Sequence, residues 1–314
     1  MYAILDAWTY LYIKSNIRVL IDKKVEAGFL WQSYLRAMLN RYIFTVFALL
    51  FAGVLYSFSH NGKDGYKLVW ADEFNKEGAP DSSVWSYEKG FVRNHEDQWY
   101  RSENAYCKDG KLVIEAKRVH IPNPNYKEGS SNWKSNRQWI NYTSASLNTR
   151  VHKSWQYGRF VMRARFDTSG GLWPAFWTLG VSKPWPSNGE IDIMEYYREH
   201  LLANIACGTN KPSVAKWYSN RRLISSFNTK DWSNKFHVWR MDWDKKEIRL
   251  YVDDILMNKV PLDSLYNPDG SNPFMQPHYI LLNLAIGGDN GGSPDETIFP
   301  KRYEIDYVRV YQKE

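Results

Sequence analysis

Gly189–Tyr197 reads GEIDIMEYY. Three acids, Glu190, Asp192 and Glu195, stand there among apolar residues. Successive side chains of a β-strand point to opposite faces. Glu190 and Asp192 therefore share one face, and Ile191 and Ile193 the other. Strict alternation would carry Glu195 to the apolar face, which is costly for a charge. One extra residue near Met194, a β-bulge, returns Glu195 to the acidic face, and bulges often re-aim a side chain beside a reactive centre. Clustered carboxylates repel one another and raise a pKa. That is poor design for stability but useful where one carboxyl must be ionised and another protonated. The competing reading is an edge strand with a solvated acidic face.

The flanks favour chemistry. Gly171–Gly180 reads GLWPAFWTLG, and Trp173, Ala175 and Trp177 share one strand face. Trp185 follows in a Pro-rich loop just before the acids. Indoles are flat platforms for the apolar faces of sugar rings, although core packing is the other use of such residues. Retaining glycosidases need two carboxyls roughly 5–5.5 Å apart. Counting the bulge, Glu190 and Glu195 lie four strand positions apart, roughly 13 Å at Cα. Their side chains must lean toward each other across Asp192, which fits Glu at both ends and Asp between.

Around this centre the chain reads as strands. Lys111–Lys117 alternates, as does Arg159–Phe166. Glu247–Val260 reads as a hairpin turning at Asp253-Asp254, and His278–Ile286 and Tyr303–Gln312 are rich in β-branched and aromatic residues. Turn clusters separate them at Asp109-Gly110, Gly170-Gly171 and Gly287 to Gly292. Pro122 to Asn141 is a long polar stretch carrying Trp133 and Trp139, and loops of that length are usually functional or mobile. Many short strands with frequent turns predict a sandwich or barrel, in one domain spanning Gly65–Glu314.

Composition agrees with a globular β-protein. Of 314 residues, 44% are hydrophobic and 24% charged, which excludes a mostly disordered chain. The 16% aromatic share is high and fits strands or a ring-stacking ligand. Two Cys exclude a disulfide framework or a Cys-rich zinc site. The net charge of +7 is spread without a block of like charges, which argues against a nucleic-acid partner. It suits an acidic polysaccharide or a membrane face.

The first sixty residues form a separate leader. Tyr42 to Phe58 holds no charge, with Arg41 just before it and Met38 three residues earlier. A basic flank followed by a short apolar core reads as a secretory signal peptide with Met38 as the start. A retained membrane anchor is the alternative, although the run is short for a span. Either way the rest of the chain leaves the cytoplasm. Cys107 and Cys207 then meet an oxidising environment, and their pairing is open.

The ordered segments LVWADEF (68–74), NHEDQWY (94–100), NAYCKDGKLVIEAKR (104–118), YTSASLNT (142–149), YGRFVMRARF (157–166), GLWPAFWTLG (171–180), WPSNGEIDIME (185–195), LLNLAIGGDNGG (281–292) and IDYVRVY (305–311) resemble family 16 glycoside hydrolases, above all laminarinase-like members. The resemblance implies a jelly-roll, concanavalin-like sandwich of two curved antiparallel sheets with a sugar cleft on the concave face. It implies Glu190 as nucleophile, Glu195 as general acid/base and Asp192 as the residue tuning the nucleophile. Asn94 and Trp185 match sugar-contacting positions, and Trp173 and Trp177 match the cleft wall. Glu73, Gly110 and Asp306 match a structural calcium site that some members carry; no cofactor is needed for catalysis. The sequence departs where laminarinase-like members usually carry a His near the acid/base. Ala206 stands at that position, and Asn204, two residues earlier on the same face, is the expected stand-in.

The function expected is a secreted or cell-surface, monomeric, retaining endo-β-glucanase acting on β-1,3- or mixed-linked β-1,3-1,4-glucan. An endo-β-galactanase acting on agar-, porphyran- or carrageenan-like or mucin-type chains is the second reading, since the basic balance and Arg93 suit sulfated sugars. A non-catalytic sugar-binding protein is the third, disfavoured because both glutamates are present.

Overall fold

The computed structural model describes residues 65–227 and 231–313. The apolar run 42–58 and the rest of the leader lie outside them. The chain divides into two compact units, Met1–Asp64 and Gly65–Glu314. Among the described residues no helix is long and apolar enough to cross a membrane.

The second unit is built of strands: β1 (Tyr66–Asp72), β2 (Ser86–Tyr87), β3 (Gln98–Tyr100), β4 (Ala105–Lys108), β5 (Lys111–Pro122), β6 (Trp139–Ser144), β7 (Ser146–Asn148), β8 (Gly158–Phe166), β9 (Leu172–Gly180), β10 (Glu190–Tyr197), β11 (His200–Gly208), β12 (Ala215–Leu223), β13 (His237–Trp243), β14 (Glu247–Val252), β15 (Ile255–Pro261), β16 (His278–Ile286) and β17 (Lys301–Lys313). One sheet of ten strands runs β15-β14-β13-β8-β17-β5-β6-β3, with β1 on β17 and β4 on β5. The other, of seven, runs β12-β11-β10-β9-β16-β7-β2. All pairings are antiparallel except β3 with β6. This is the expected all-β jelly-roll sandwich.

The alternation read from the sequence builds the core. Along β8, Phe160, Met162, Ala164 and Phe166 are buried, while the arginines between them are partly exposed. The acid strand contributes Ile191, Ile193 and Met194 to the same core. The hairpin turns at Asp253 and Asp254, both at positive φ (46° and 65°), as a two-residue turn with primed geometry demands. β5 runs on past the expected Lys117 to Pro122, so the long polar connection is 123–138. Cys107 and Cys207 are both buried free thiols.

The opposite face of the seven-stranded sheet carries a smaller cluster of Ala175, Trp177, Tyr279 and Leu281, with Leu179 against it. A sheet with a packed back normally shows water a polar front. This front is apolar and aromatic, and it floors an open cleft of about 1290 Å³.

Candidate active site

β10 places the acids. Gly189, just before Glu190, has φ +79°, and a Cβ there would meet Pro273 Cβ at 2.9 Å. Only glycine fits, so the loop carrying Trp185 enters the strand tightly. Asp192 pairs across the sheet with Asn204 on one side and Trp177 on the other, while Glu195 pairs with Leu202 and Ala175. Ile193 and Met194 together oppose the single residue Ala203, so the register shifts between Asp192 and Glu195. This is the bulge expected from the sequence. Both extra apolar side chains enter the core, and Glu195 returns to the cleft with Glu190.

Each glutamate is held by an indole. Trp185 Nε1–H donates to Glu190 Oε2 at 2.5 Å. Trp173 Nε1–H donates to Glu195 Oε1 at 2.8 Å, and Asn204 Nδ2–H donates to Glu195 Oε2 at 2.9 Å. Asn204 thus reaches the third acid from the neighbouring strand. Ala206 lies opposite Glu190 and is fully buried. Trp177 turns its Nε1–H to Asn283 Oδ1 at 2.7 Å, with the Arg93 guanidinium 5.1 Å above its ring centre. Charge-assisted bonds of this kind fix a carboxylate's orientation as well as its charge.

Asp192 is 1% exposed and lies between the two glutamates along β10. Burial, then the charges of Glu195 and Glu190, holds its carboxyl well above the usual range. Burial also raises Glu190; the bonds from Asp192 and Trp185 and the charge of Arg93 oppose it. Glu195 is pushed up to about 7, chiefly by burial, with the Glu190 charge adding and the bonds from Trp173, Asp192 and Asn204 opposing. The sequence reading gave that role to the neighbouring carboxylates; removal from water is the larger cause. An ionised carboxylate beside a protonated one is thereby set up near neutral pH.

The segment joining β2 to β3 makes one wall. Glu96, 2% exposed, accepts bonds from Gln98 Nε2–H at 2.7 Å, Asn94 Nδ2–H at 3.2 Å and Tyr100 O–H at 3.3 Å. Asn94 faces the cleft at the rim of this wall. Arg93 is bound to Glu88, so it is not a free cation. The opposite wall is the edge strand β12. Its cleft-facing residues Trp217, Ser219 and Arg221 pair with Ala206, Asn204 and Leu202, which extends the acid rows by one strand. Arg221 is exposed and makes no hydrogen bond or ion pair among the described residues. The sequence reading did not single out Glu88, Glu96, Asn283, Trp217 or Arg221. Glu96 and Asn283 lie inside quoted motifs; nothing local marks Trp217 or Arg221.

The carboxylates of the calcium expectation are both paired with arginine. Glu73 makes a bidentate pair with Arg309 at 2.7 and 2.8 Å. Asp306 binds Arg163 at 2.5 Å. Gly110 sits in the β4–β5 turn with Asn75 beside it. Among the described residues no three His, Cys, Asp or Glu side chains group to hold an ion.

A bulged acid triad in an indole-walled cleft of a jelly roll is one arrangement, and the comparisons agree with it. The model for glycosyl hydrolases family 16 matches residues 92–309. The chain belongs to that family. This family 16 glycosidase is 36% identical to a beta-glucanase of Rhodothermus marinus, over 88% of this chain and 96% of that one. Its fold is similar to the laminarinase catalytic domain of Thermotoga maritima, with TM-score 0.67 and 30% identity over 80% of this chain and all of that one. It is also similar, with TM-score 0.73 and 34% identity over 80% and 92% of the two chains, to a structure from work on endo-acting O-glycanases with which human gut bacteria initiate mucin breakdown.

Proposed function

We propose that the protein is a retaining endo-β-glucanase acting on β-1,3- or mixed-linked glucan outside the cytoplasm. The observation that carries the chemistry is a bulge that turns Glu190 and Glu195 into one cleft, each fixed there by an indole N–H. Glu195, protonated, gives its proton to the glycosidic oxygen as that bond breaks. Glu190 attacks the anomeric carbon and forms a glycosyl-enzyme. Glu195, now ionised, takes a proton from water, whose oxygen releases the sugar with retention. The open trough, walled on two sides, supports internal cleavage of a long chain. The leader's apolar run supports export. The relatives named as glucanase and laminarinase support the choice of backbone.

A second reading has its own observation. Arg221 is an unneutralised guanidinium in the cleft, where the other arginine is bound to Glu88. It suits an anionic substituent on the chain. With the structural likeness to a mucin-directed enzyme, it favours a galactose-containing, sulfate-bearing glycan. A panel of laminarin, lichenan, agarose, porphyran, carrageenan, keratan sulfate and mucin glycans, with products resolved by size, separates the two. Laminarin or lichenan reduced to short oligosaccharides is the expected result. Cleavage confined to the galactose-containing glycans overturns the glucan assignment.

A further inference from the structure

The connection at 123–138 is a built element. Asn123 is 4% exposed and ties its ends together: Nδ2–H donates to the carbonyls of Lys134 (3.2 Å) and Arg137 (2.8 Å), and Oδ1 accepts Asn125 N–H (2.9 Å). Lys127 N–H bonds Ser135 O at 2.8 Å, and the hydroxyls of Ser130 and Ser135 meet at 2.9 Å. The loop thus closes through its own polar groups, without help from Trp133.

Arg137 docks it on the cleft wall. Its guanidinium donates to the carbonyls of Glu96 and His95, both at 2.8 Å, and reaches Asp97 at 3.4 Å. The same group stacks on Phe91 (4.9 Å) and on Trp133 (5.2 Å). Trp133 also meets His95 at 5.1 Å and Phe91 at 6.0 Å. Its indole is outside the hydrophobic core, partly exposed, and lines the cleft. A large apolar ring left wet but fixed by a planar cation is pre-organised for a ligand, because no ordering cost remains to be met on binding. Trp133 is not among the side chains that bond Glu190 or Glu195, which are Trp185, Trp173 and Asn204.

We propose that the 123–138 loop is a substrate-binding insertion, with Trp133 a sugar platform at the distal end of the cleft and Arg137 the positioning residue that holds it. The inference rests on the cleft being the glycan site and not on which glycan fills it. A distal platform engages long chains only. Trp133→Ala and Arg137→Ala, checked for unchanged melting, are expected to lower kcat/KM about tenfold on laminarin and the longest laminari-oligosaccharides. Turnover of the shortest cleaved oligosaccharide stays at the wild-type value, and Trp133→Phe restores most of the loss. Equal losses at every chain length, or none on the polymer, overturn the proposal. If the wild type leaves laminarin uncut, the glucan reading falls, and the same length series in N-acetyllactosamine oligomers tests Trp133. Calorimetry of both series in a Glu190→Gln background reads the platform without turnover.

Discussion

The two outward faces of the sandwich treat acids in opposite ways. On the ten-stranded sheet, carboxylates meet guanidiniums: Arg159 with Asp242, Arg163 with Asp306, Arg165 with Glu304 and Arg309 with Glu73. Each such pair neutralises charge at the surface and is worth little singly. On the seven-stranded sheet three acids crowd one strand, no arginine pairs with them among the described residues, and the side chains that bond the two glutamates are indoles and an amide. The same strand alternation serves both faces. What differs is whether each acid is ion-paired, and leaving Glu195 buried without a paired cation keeps a proton available near neutral pH.

The largest expected effect comes from breaking the cleft side. Glu190→Ala removes the nucleophile and is expected to lower kcat by about 10⁴-fold or more while polysaccharide binding persists. Full turnover in that variant, measured on the preferred substrate, ends the assignment. A smaller effect sharpens the contrast. Activity needs Glu190 ionised and Glu195 protonated, so it falls on the acid side as Glu190 takes up a proton. It falls on the alkaline side as pH rises through about 7, where Glu195 loses its proton. The Asn204 N–H favours the ionised form of Glu195; Asn204→Ala removes it, so the alkaline limb of kcat/KM against pH moves upward. A downward or absent shift contradicts the bond at 2.9 Å. The smallest effect is on the paired face. Asp306→Asn is expected to cost about 0.5 kcal/mol of stability and leave turnover unchanged. Chelator leaves the melting temperature where it was; a drop restores the calcium reading.

The sequence by itself determined the strands, the sandwich and the bulge. Period-two burial along β8 is a local pattern, and an ionised Glu195 in the core would be too costly to leave the register at Ile193–Met194 in doubt. The resemblance to family 16 set position 206 near the acid/base, and Asn204 shares its face because two residues along a strand is a local relation. Tertiary structure decided what no local window holds. Trp173 and Trp185 were expected as sugar platforms, yet their N–H groups grip Glu195 and Glu190, a contact set by side-chain direction across strands and loops. Trp217 and Arg221 reach the cleft only because β12 pairs with β11, and Trp133 only because Arg137 binds carbonyls some forty residues earlier in the chain. Glu73 and Asp306 matched a calcium pattern residue by residue, but the fold set arginines from distant strands against both. Alternation and burial act between neighbours in sequence; charge pairing acts between neighbours in space, and only folding makes those.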